Sequence, residues 1–456
     1  MLRSTSLFRS LISGLALLAL LVVPVSCDLS PTNENNPTED QTLSTAEGIR
    51  ALAVGMQEFY ATDALNATIP RGVGITSREI AINNTFSNLV EMEAGGDNLS
   101  TSNANVEAIW SENYRVVRMA EDLIENAPQV NLSAGTQSGI TATARVFKAL
   151  ALGNIALAFE QAPITTDLSG NASFVPRQEV LQEAVTLLGD ARTTLNDTPP
   201  SDDFSSNILS ISVSGNATRV EGLRTLIDVY RARFNLLAGN DQAAIDASTR
   251  VDPTVQVTFS YNDQSQNPYW QELVQTGDLA LRDSLGSDLI EPDDARIDFF
   301  TDPSDATSTP NGLAIEEPAG FFATASTPAP LFVPDEMTLI RAEAMLNQDA
   351  PLSEVVSAID SVRTDLGPSP FGIEAGLSSY SETGRPVTEA ALQTEILRQR
   401  RAELYLQGLA LADSRRLGPE VSDREDPSFS ERARNFYPYP DQESRNNPNT
   451  PESPDF

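Results

Sequence analysis

Beyond position 42 the apolar residues recur with a period near 3.6, and alternating runs suited to a large sheet are nearly absent, which predicts a mainly helical body. In 103–126, Val106, Ile109, Trp110, Tyr114, Val117 and Ile124 fall on one stripe, and Pro128 follows where the helix should stop. Trp110 and Tyr114 read as packing anchors on that stripe rather than as ligand platforms. A second helix is expected over 136–161, with Ile140, Ala144, Phe147, Ala151, Ile155 and Phe159 inward and Pro163 beyond its end. Small residues at Ala149, Ala151 and Gly153 point to close helix packing there. A third runs over 177–196, from Pro176 to the Pro199-Pro200 stop.

Helix pairs follow at 219–250 and 334–366. RARFNLLAGNDQAAIDAS from Arg231 aligns with RAEAMLNQDAPLSEVVSAID from Arg341, each a helix, a short polar turn and an Ala-rich helix. Recurring helix-turn-helix units with small residues at their contacts are the mark of tetratricopeptide-like repeats. A last long helix is expected over 388–412, with Thr388 as N-cap, Glu389 in its first turn and Leu392, Ile396, Leu404 and Leu411 on one side. Two stretches rich in Asn, Ser, Thr, Pro and Gly, 62–102 and 251–333, read as long insertions, and loops of that length usually carry function or small elements of their own. The second holds Tyr261, Tyr269, Trp270, Phe299, Phe300, Phe321 and Phe322, well above the overall 6% aromatic content. Aromatic faces offer large rigid contact at low entropic cost, so Tyr261, Tyr269, Trp270, Phe321 and Phe322 are the candidate ligand-binding residues, Trp270 and Tyr269 foremost. Packing beneath a long loop is the competing reading of each.

The N-terminus breaks this pattern. Arg3 and Arg9 precede an apolar run from Leu11 to Val25, too short to span a bilayer comfortably, and Ser26 then precedes Cys27, the only cysteine in the chain. This is the arrangement of a secretory signal, residues 1–26, cleaved before a cysteine whose thiol is acylated. Pro24 stands where a lipobox usually has Leu. Several acyl carbons on Cys27, each contributing roughly 0.8 kcal/mol of membrane partitioning, would tether the protein. Residues 27–42 have no periodic apolar positions and read as a flexible lipidated linker, leaving 43–456 as the globular body.

Composition then removes chemistry. The 456 residues include no His, one Cys and a single lysine, Lys148, so the 30 basic residues are otherwise Arg. No His/Cys zinc site, Ser-His-Asp triad, Cys-His dyad or intramolecular disulfide can be assembled, and there is no P-loop. A net charge of −34 repels phosphate backbones, which excludes nucleic acid as a natural partner. Acidity with Arg in place of Lys reports a salty habitat and a need for solubility rather than a ligand. Pairs such as Asp202-Asp203 and Asp293-Asp294 raise a hydrolase reading, but 64 acids make such pairs inevitable. No DxDxDG loop marks a calcium site, and neither a metal nor a cofactor is expected. The eight Arg of 398–434 are nearly matched by seven acids, from Glu403 and Asp413 to Glu431, which reads as structural ion pairing.

The C-terminal stretch LRQRRAELYLQGLALADSRRLG at 397–418 and the tail YPYPDQESRNNPN at 437–449 resemble the SusD/RagB family of surface lipoproteins. The family tail of Tyr-Pro-x-Pro, Glu and Asn-Pro-Asn is matched by Tyr437, Pro438, Pro440, Glu443, Asn447, Pro448 and Asn449. Further matches are FVPDEMTLIRAEAML at 332–346, Ala358 to Arg363, and the Asp-x-Arg string from Asp294 to Arg296. Gln407, Ala410 and Ser414 depart from the usual Glu, Arg and Leu, which bears on local salt bridges. The resemblance implies a mainly α, SusD-like fold of four tetratricopeptide-like helix pairs with an irregular, insertion-built half that carries the ligand site. It further implies a non-enzymatic lipoprotein of the outer membrane, exposed at the cell surface. Such a protein binds an oligosaccharide or peptide and acts as the lid of a SusC-like TonB-dependent β-barrel transporter. The rival readings are a helical scaffold in an outer-membrane assembly that binds no small ligand and, more remotely, a secreted hydrolase.

Overall fold

The helical stripes read from the sequence form helices, with the 388–412 stripe split between two, and most of their apolar residues are buried. The computed structural model describes residues 42–96, 99–418 and 432–454. The helices are α1 (Ala46–Phe59), α2 (Ser87–Ala94), α3 (Ala104–Asn126), α4 (Ala134–Ala158), α5 (Arg177–Asp197), α6 (Arg219–Leu237), α7 (Asp241–Ser248), α8 (Asp335–Asn347), α9 (Leu352–Arg363), α10 (Glu389–Glu403), α11 (Ala410–Leu417) and α12 (Asp441–Asn446). Side chains supply the acceptors that their first turns lack. Asn103 Oδ1 accepts from the Asn105 and Val106 amides at the start of α3, Ser133 Oγ from Thr136 at α4, and Thr388 Oγ1 from Ala391 at α10. Thr218 and Glu221 close a reciprocal capping box at α6.

The helices stack in sequence order: α3 on α4, α4 on α5, α5 on α6, α6 on α7, α7 on α8 and α8 on α9. This nearest-neighbour packing is that of a helical repeat array. α4 is its centre, buried along almost its whole length. Two of its glycines explain how closely its neighbours approach. A Cβ on Gly139 would lie 2.4 Å from the Phe204 ring, and one on Gly153 would lie 2.2 Å from the Phe234 ring.

The stretch 62–102, read as a long insertion, carries elements of its own. α1 runs on through a π-helical turn (Tyr60–Ala64), a short α segment (Leu65–Thr68) and a second π turn (Ile69–Val73), and most of these residues are buried. Gly72 sits at the kink, where a Cβ would meet Ala67 O at 2.7 Å and Ile109 at 2.8 Å. Residues 251–333 do carry the small elements. β1 (Ile80–Ile82), β6 (Leu279–Arg282), β8 (Ala314–Pro318) and β7 (Thr301–Ser308) form an antiparallel sheet in the order β1-β6-β8-β7. β2 (Gln161–Ala162) pairs with β3 (Val175–Pro176), and β4 (Ser212–Ser214), β5 (Gln256–Phe259) and β9 (Ala329–Pro330) make a three-stranded sheet.

The helix expected over 388–412 is broken. α10 ends at Glu403, Leu406 and Gly408 take positive φ (53° and 77°), and α11 begins at Ala410. Buried Glu79 holds this corner: its carboxylate accepts from the Leu406 amide (2.9 Å) and its carbonyl from the Tyr405 hydroxyl (3.0 Å). The corner lets Arg400 on α10 grip Asp413 on α11 through two bonds of 2.8 and 3.1 Å. Arg398, Arg400 and Arg416 of this segment are thus paired with Glu395, Asp413 and Glu343, whereas Arg401 and Arg415 donate to backbone carbonyls. Arg296 pairs likewise with Asp294 and Glu403, Arg363 with Glu395, and Arg233 with Glu336. The acids Glu420, Asp423, Glu425, Asp426 and Glu431 of the same run lie outside the described residues.

The described residues from Leu43 onward belong to one compact unit. The signal segment 1–26, Cys27 and the linker up to residue 41 lie outside the described residues.

Candidate ligand-binding cleft

The five candidate aromatic residues do not share a surface. Tyr261 and Tyr269 are buried, and each spends its hydroxyl on a backbone carbonyl, Tyr261 on Ala61 (3.0 Å) and Tyr269 on Leu406 (2.9 Å). Burial pushes both phenol pKa values above the ordinary tyrosine value. Phe321 packs on Phe299 and Phe371, and Phe322 on Tyr269 and Phe300, with ring centroids 5.1–6.0 Å apart. These four rings form the inner face of the insertion, and the aromatic enrichment measures a local core. Trp270 differs. It is only partly buried, and its indole N–H has no acceptor among the described residues.

Trp270 stands at the end of the short helix Pro268–Trp270, whose first turn is capped by Asn267 Oδ1. The next residue, Gln271, opens a π-helical turn (Gln271–Gln275) and lines an open cleft of about 440 Å³. The opposite wall comes from the end of α1, the first π turn and the short α segment after it: Gly55, Glu58, Phe59, Thr62, Asp63 and Asn66. Gln264, Ser265 and Gln266 close the rim. π-helical turns are rare and recur at functional sites, and here one contributes to each wall.

The lining is amide, hydroxyl and carboxylate with one ring. Ser265 Oγ donates to Glu58, tying rim to wall, and Thr62 Oγ1 to Asp63 (2.7 Å). Asn66 donates its amide to Glu272 (2.9 Å), which Arg71 also holds at 3.2 Å, while Asn66 Oδ1 is left without a partner among the described residues. The Arg115 guanidinium lies 4.2 Å from the centroid of the Phe59 ring. Beside it, burial and then the Asp63 charge raise the carboxyl pKa of Glu112. Preset donors and acceptors of this kind match a ligand with many hydroxyl groups, and the excess of carboxylates disfavours an anionic one. Among the described residues, no group of three or more acidic side chains is placed to hold a metal ion.

One member of each carboxylate pair is otherwise engaged. Asp294 gives both oxygens to buried Arg296 (2.9 and 2.7 Å), and Asp203 is held by Arg50 (2.5 Å) and Asn207 (3.0 Å). The tail motif is structural as well. Tyr437 OH meets Thr76 Oγ1 at 2.8 Å, Tyr439 OH accepts from the Gln161 amide, and Glu443 accepts from Trp110 Nε1. Asn447 and Asn449 donate to the Ala172 and Asn171 carbonyls. Trp110 lies in an aromatic cluster with Tyr114, Phe159, Phe174 and Tyr439. Sequence reasoning missed Glu58, Asn66, Gln264 and Gln266, ordinary polar residues whose one signal is the Gln-Ser-Gln-Asn run just before the aromatic pair Tyr269-Trp270.

No family model and no curated protein matches the chain. Solved structures do match its fold over most of its length. A SusD superfamily protein from Bacteroides thetaiotaomicron superposes with a TM-score of 0.61 at 15% identity, covering 90% of this chain and 100% of its own. A SusD/RagB family protein from the same organism gives 0.61 at 16%, covering 88% and 94%. A candidate sugar-binding protein from Bacteroides vulgatus gives 0.59 at 15%, covering 90% and 98%. The fold is therefore the mainly helical SusD-like fold that the C-terminal motifs imply.

Proposed function

We propose that this protein is a lipid-anchored nutrient-binding protein of an outer membrane. It takes a neutral oligosaccharide into the cleft between the end of α1 and the Gln264–Gln271 segment, and passes it to a SusC-like TonB-dependent barrel. The observation that carries the reading is the cleft itself: amide, hydroxyl and carboxylate groups, with Asn66 Oδ1 an acceptor left unmet among the described residues, and with the wall residue Gln271 directly following the partly exposed Trp270 in the chain. A sugar ring stacks on indole through its C–H face while its hydroxyls take the polar wall. The SusD-like fold and the sugar-binding description of one structural neighbour support the class of ligand. Acylation of Cys27 would supply the anchor, and no catalytic role is assigned to any residue.

Burial of Tyr261, Tyr269, Phe321 and Phe322 favours a second reading, a helical scaffold that joins an outer-membrane assembly without binding a small ligand. Two measurements separate the readings. Calorimetric titration of the soluble mature protein with neutral oligosaccharides, uronate-containing oligosaccharides and peptides is expected to show saturable heat with the neutral set. Absence of heat throughout, with a barrel still retrieved by a mild-detergent pull-down from native membranes, would establish the scaffold instead.

A further inference from the structure

Among the described residues several guanidinium groups of this acidic chain have no carboxylate partner, Arg219, Arg224 and Arg401 donating to backbone carbonyls instead. Two further such groups lie against one ring. The Arg415 guanidinium carbon is 4.1 Å from the centroid of Phe436, and that of Arg177 is 5.9 Å from it. Arg415 donates through Nη1 to the carbonyls of Leu157 (3.2 Å) and Asn435 (2.6 Å), but its Nε and Nη2 are buried with no acceptor among the described residues. The Arg177 side chain makes no hydrogen bond or ion pair among the described residues. Carboxylates stand nearby without serving either group: Asp413 is taken by Arg400 and Arg416, and Glu160 acts on Arg177 only through space.

The backbone adds to the positive field. Arg177 is the first residue of α5; its own amide donates to the Glu160 carbonyl (2.9 Å), while the N–H groups that follow in the first turn point outward at the positive end of the helix dipole. Pro176, at the N-cap, offers no side-chain acceptor, and Glu179 is the acid of that turn. Arg416 and Arg432 lie close enough to act on Arg415, and with burial foremost these charges push its guanidinium pKa down to about 9. Buried donors without acceptors are costly to leave unmade, and repulsion between cations adds to that cost. A bound anion answers both.

We propose that Arg177 and Arg415, ranged against Phe436, form an anion site that accepts a small oxyanion, a carboxylate, a phosphate or a sulfate. The planar fork of each guanidinium suits two oxygens of one such group. This site is built from α5, α11 and the tail, not from the α1 cleft, and it stands or falls independently of the oligosaccharide reading.

The test is calorimetric titration of the full-length, detergent-purified protein with sodium sulfate, sodium phosphate and sodium acetate, with ionic strength held constant by sodium chloride. One anion per chain is expected to bind saturably. Sulfate or phosphate binding without acetate would identify a tetrahedral group as the natural occupant, and the reverse a carboxylate. Arg177→Gln, which removes no hydrogen bond, is expected to weaken binding at least tenfold. Arg177→Lys should retain it within a few-fold, and Arg445→Gln, at an exposed ion pair on α12, should leave it unchanged. No saturable binding of any of the three anions, or equal affinity in wild type and Arg177→Gln, would overturn the proposal.

Discussion

Trp110 on α3 donates its indole N–H to the Glu443 carboxylate of α12 across 3.2 Å, joining residues 333 positions apart. The other oxygen of Glu443 accepts from the Asn447 side chain (2.9 Å), which also donates to the carbonyl of Ala172. The tail motif is therefore a clasp that closes the C-terminus over the first helices of the array. Glu443→Ala is expected to lower unfolding free energy by about 1–3 kcal/mol, the cost of leaving a largely buried donor unmet, and Glu443→Gln by less because it keeps an acceptor. Guanidinium denaturation reads both. Oligosaccharide affinity should not change in either variant, since Glu443 does not line the α1 cleft.

The helical half was legible because periodicity and caps are local properties. The expected 103–126 helix is Ala104–Asn126, the expected 177–196 helix is Arg177–Asp197, and Thr388 caps α10. What escaped depends on distant partners. Leu406 adopts a positive φ because Glu79, 327 positions earlier, accepts its amide, and nothing in the run from Arg398 to Leu411 announces that bond. The π turns at Tyr60 and Gln271 leave no trace in an apolar pattern, so the cleft they build was invisible. The aromatic enrichment of 251–333 points in the sequence to a binding surface, but rings cluster in cores as readily as at sites. The hydroxyl partners of Tyr261 and Tyr269 decide for the core.

Gly153 faces Phe234 so closely that Gly153→Ala must displace the ring or separate α4 from α6. The cost of such overpacking is typically about 1–3 kcal/mol, well beyond the small gain in helix propensity that alanine brings. A thermal melt several degrees below wild type is the expected result. An unchanged melt would mean that the two helices are not packed as described.

Stability should fall as pH rises from 5 to 9. Burial is the chief cause that raises the Asp335 carboxyl to about 6 and the Glu403 carboxyl to about 8, with Asp365 adding to the first and Asp335 to the second. Both groups bind protons more tightly folded than unfolded. Their contribution is complete below the ordinary carboxylate range and is lost as pH rises through 6 and then 8. Asp335→Asn is expected to flatten this profile and to raise stability at pH 8.5 by on the order of 1 kcal/mol, after discounting for the partly exposed position. Chemical denaturation at pH 5, 7 and 9 checks the slope.

Trp270 and Tyr269 are neighbours with opposite expected roles. Trp270→Ala should leave the melting temperature nearly unchanged and weaken binding of a neutral oligosaccharide at least tenfold, because its indole contributes contact and an unused N–H. Tyr269→Phe removes the bond to the Leu406 carbonyl and should lower stability by about 1 kcal/mol while leaving affinity intact. Equal affinity in wild type and a folded Trp270→Ala would place the ligand elsewhere.

Cys27 is the one thiol of the chain, and acylation of any other residue would need a different chemistry. Each buried CH₂ of an acyl chain contributes roughly 0.8 kcal/mol, so several chains on one cysteine hold a soluble body at a bilayer without any spanning helix. α4 is long and apolar enough to cross a membrane, but it is the buried centre of the array and cannot substitute for the anchor. Cys27→Ser should therefore move the protein from the membrane pellet to the soluble fraction, with its melting profile unchanged. Retention in the pellet after a salt wash would point to attachment through a partner protein and remove lipidation from the proposed function. Release, followed by loss of barrel recovery in the pull-down, would show that tethering supplies the effective concentration on which the transporter contact depends.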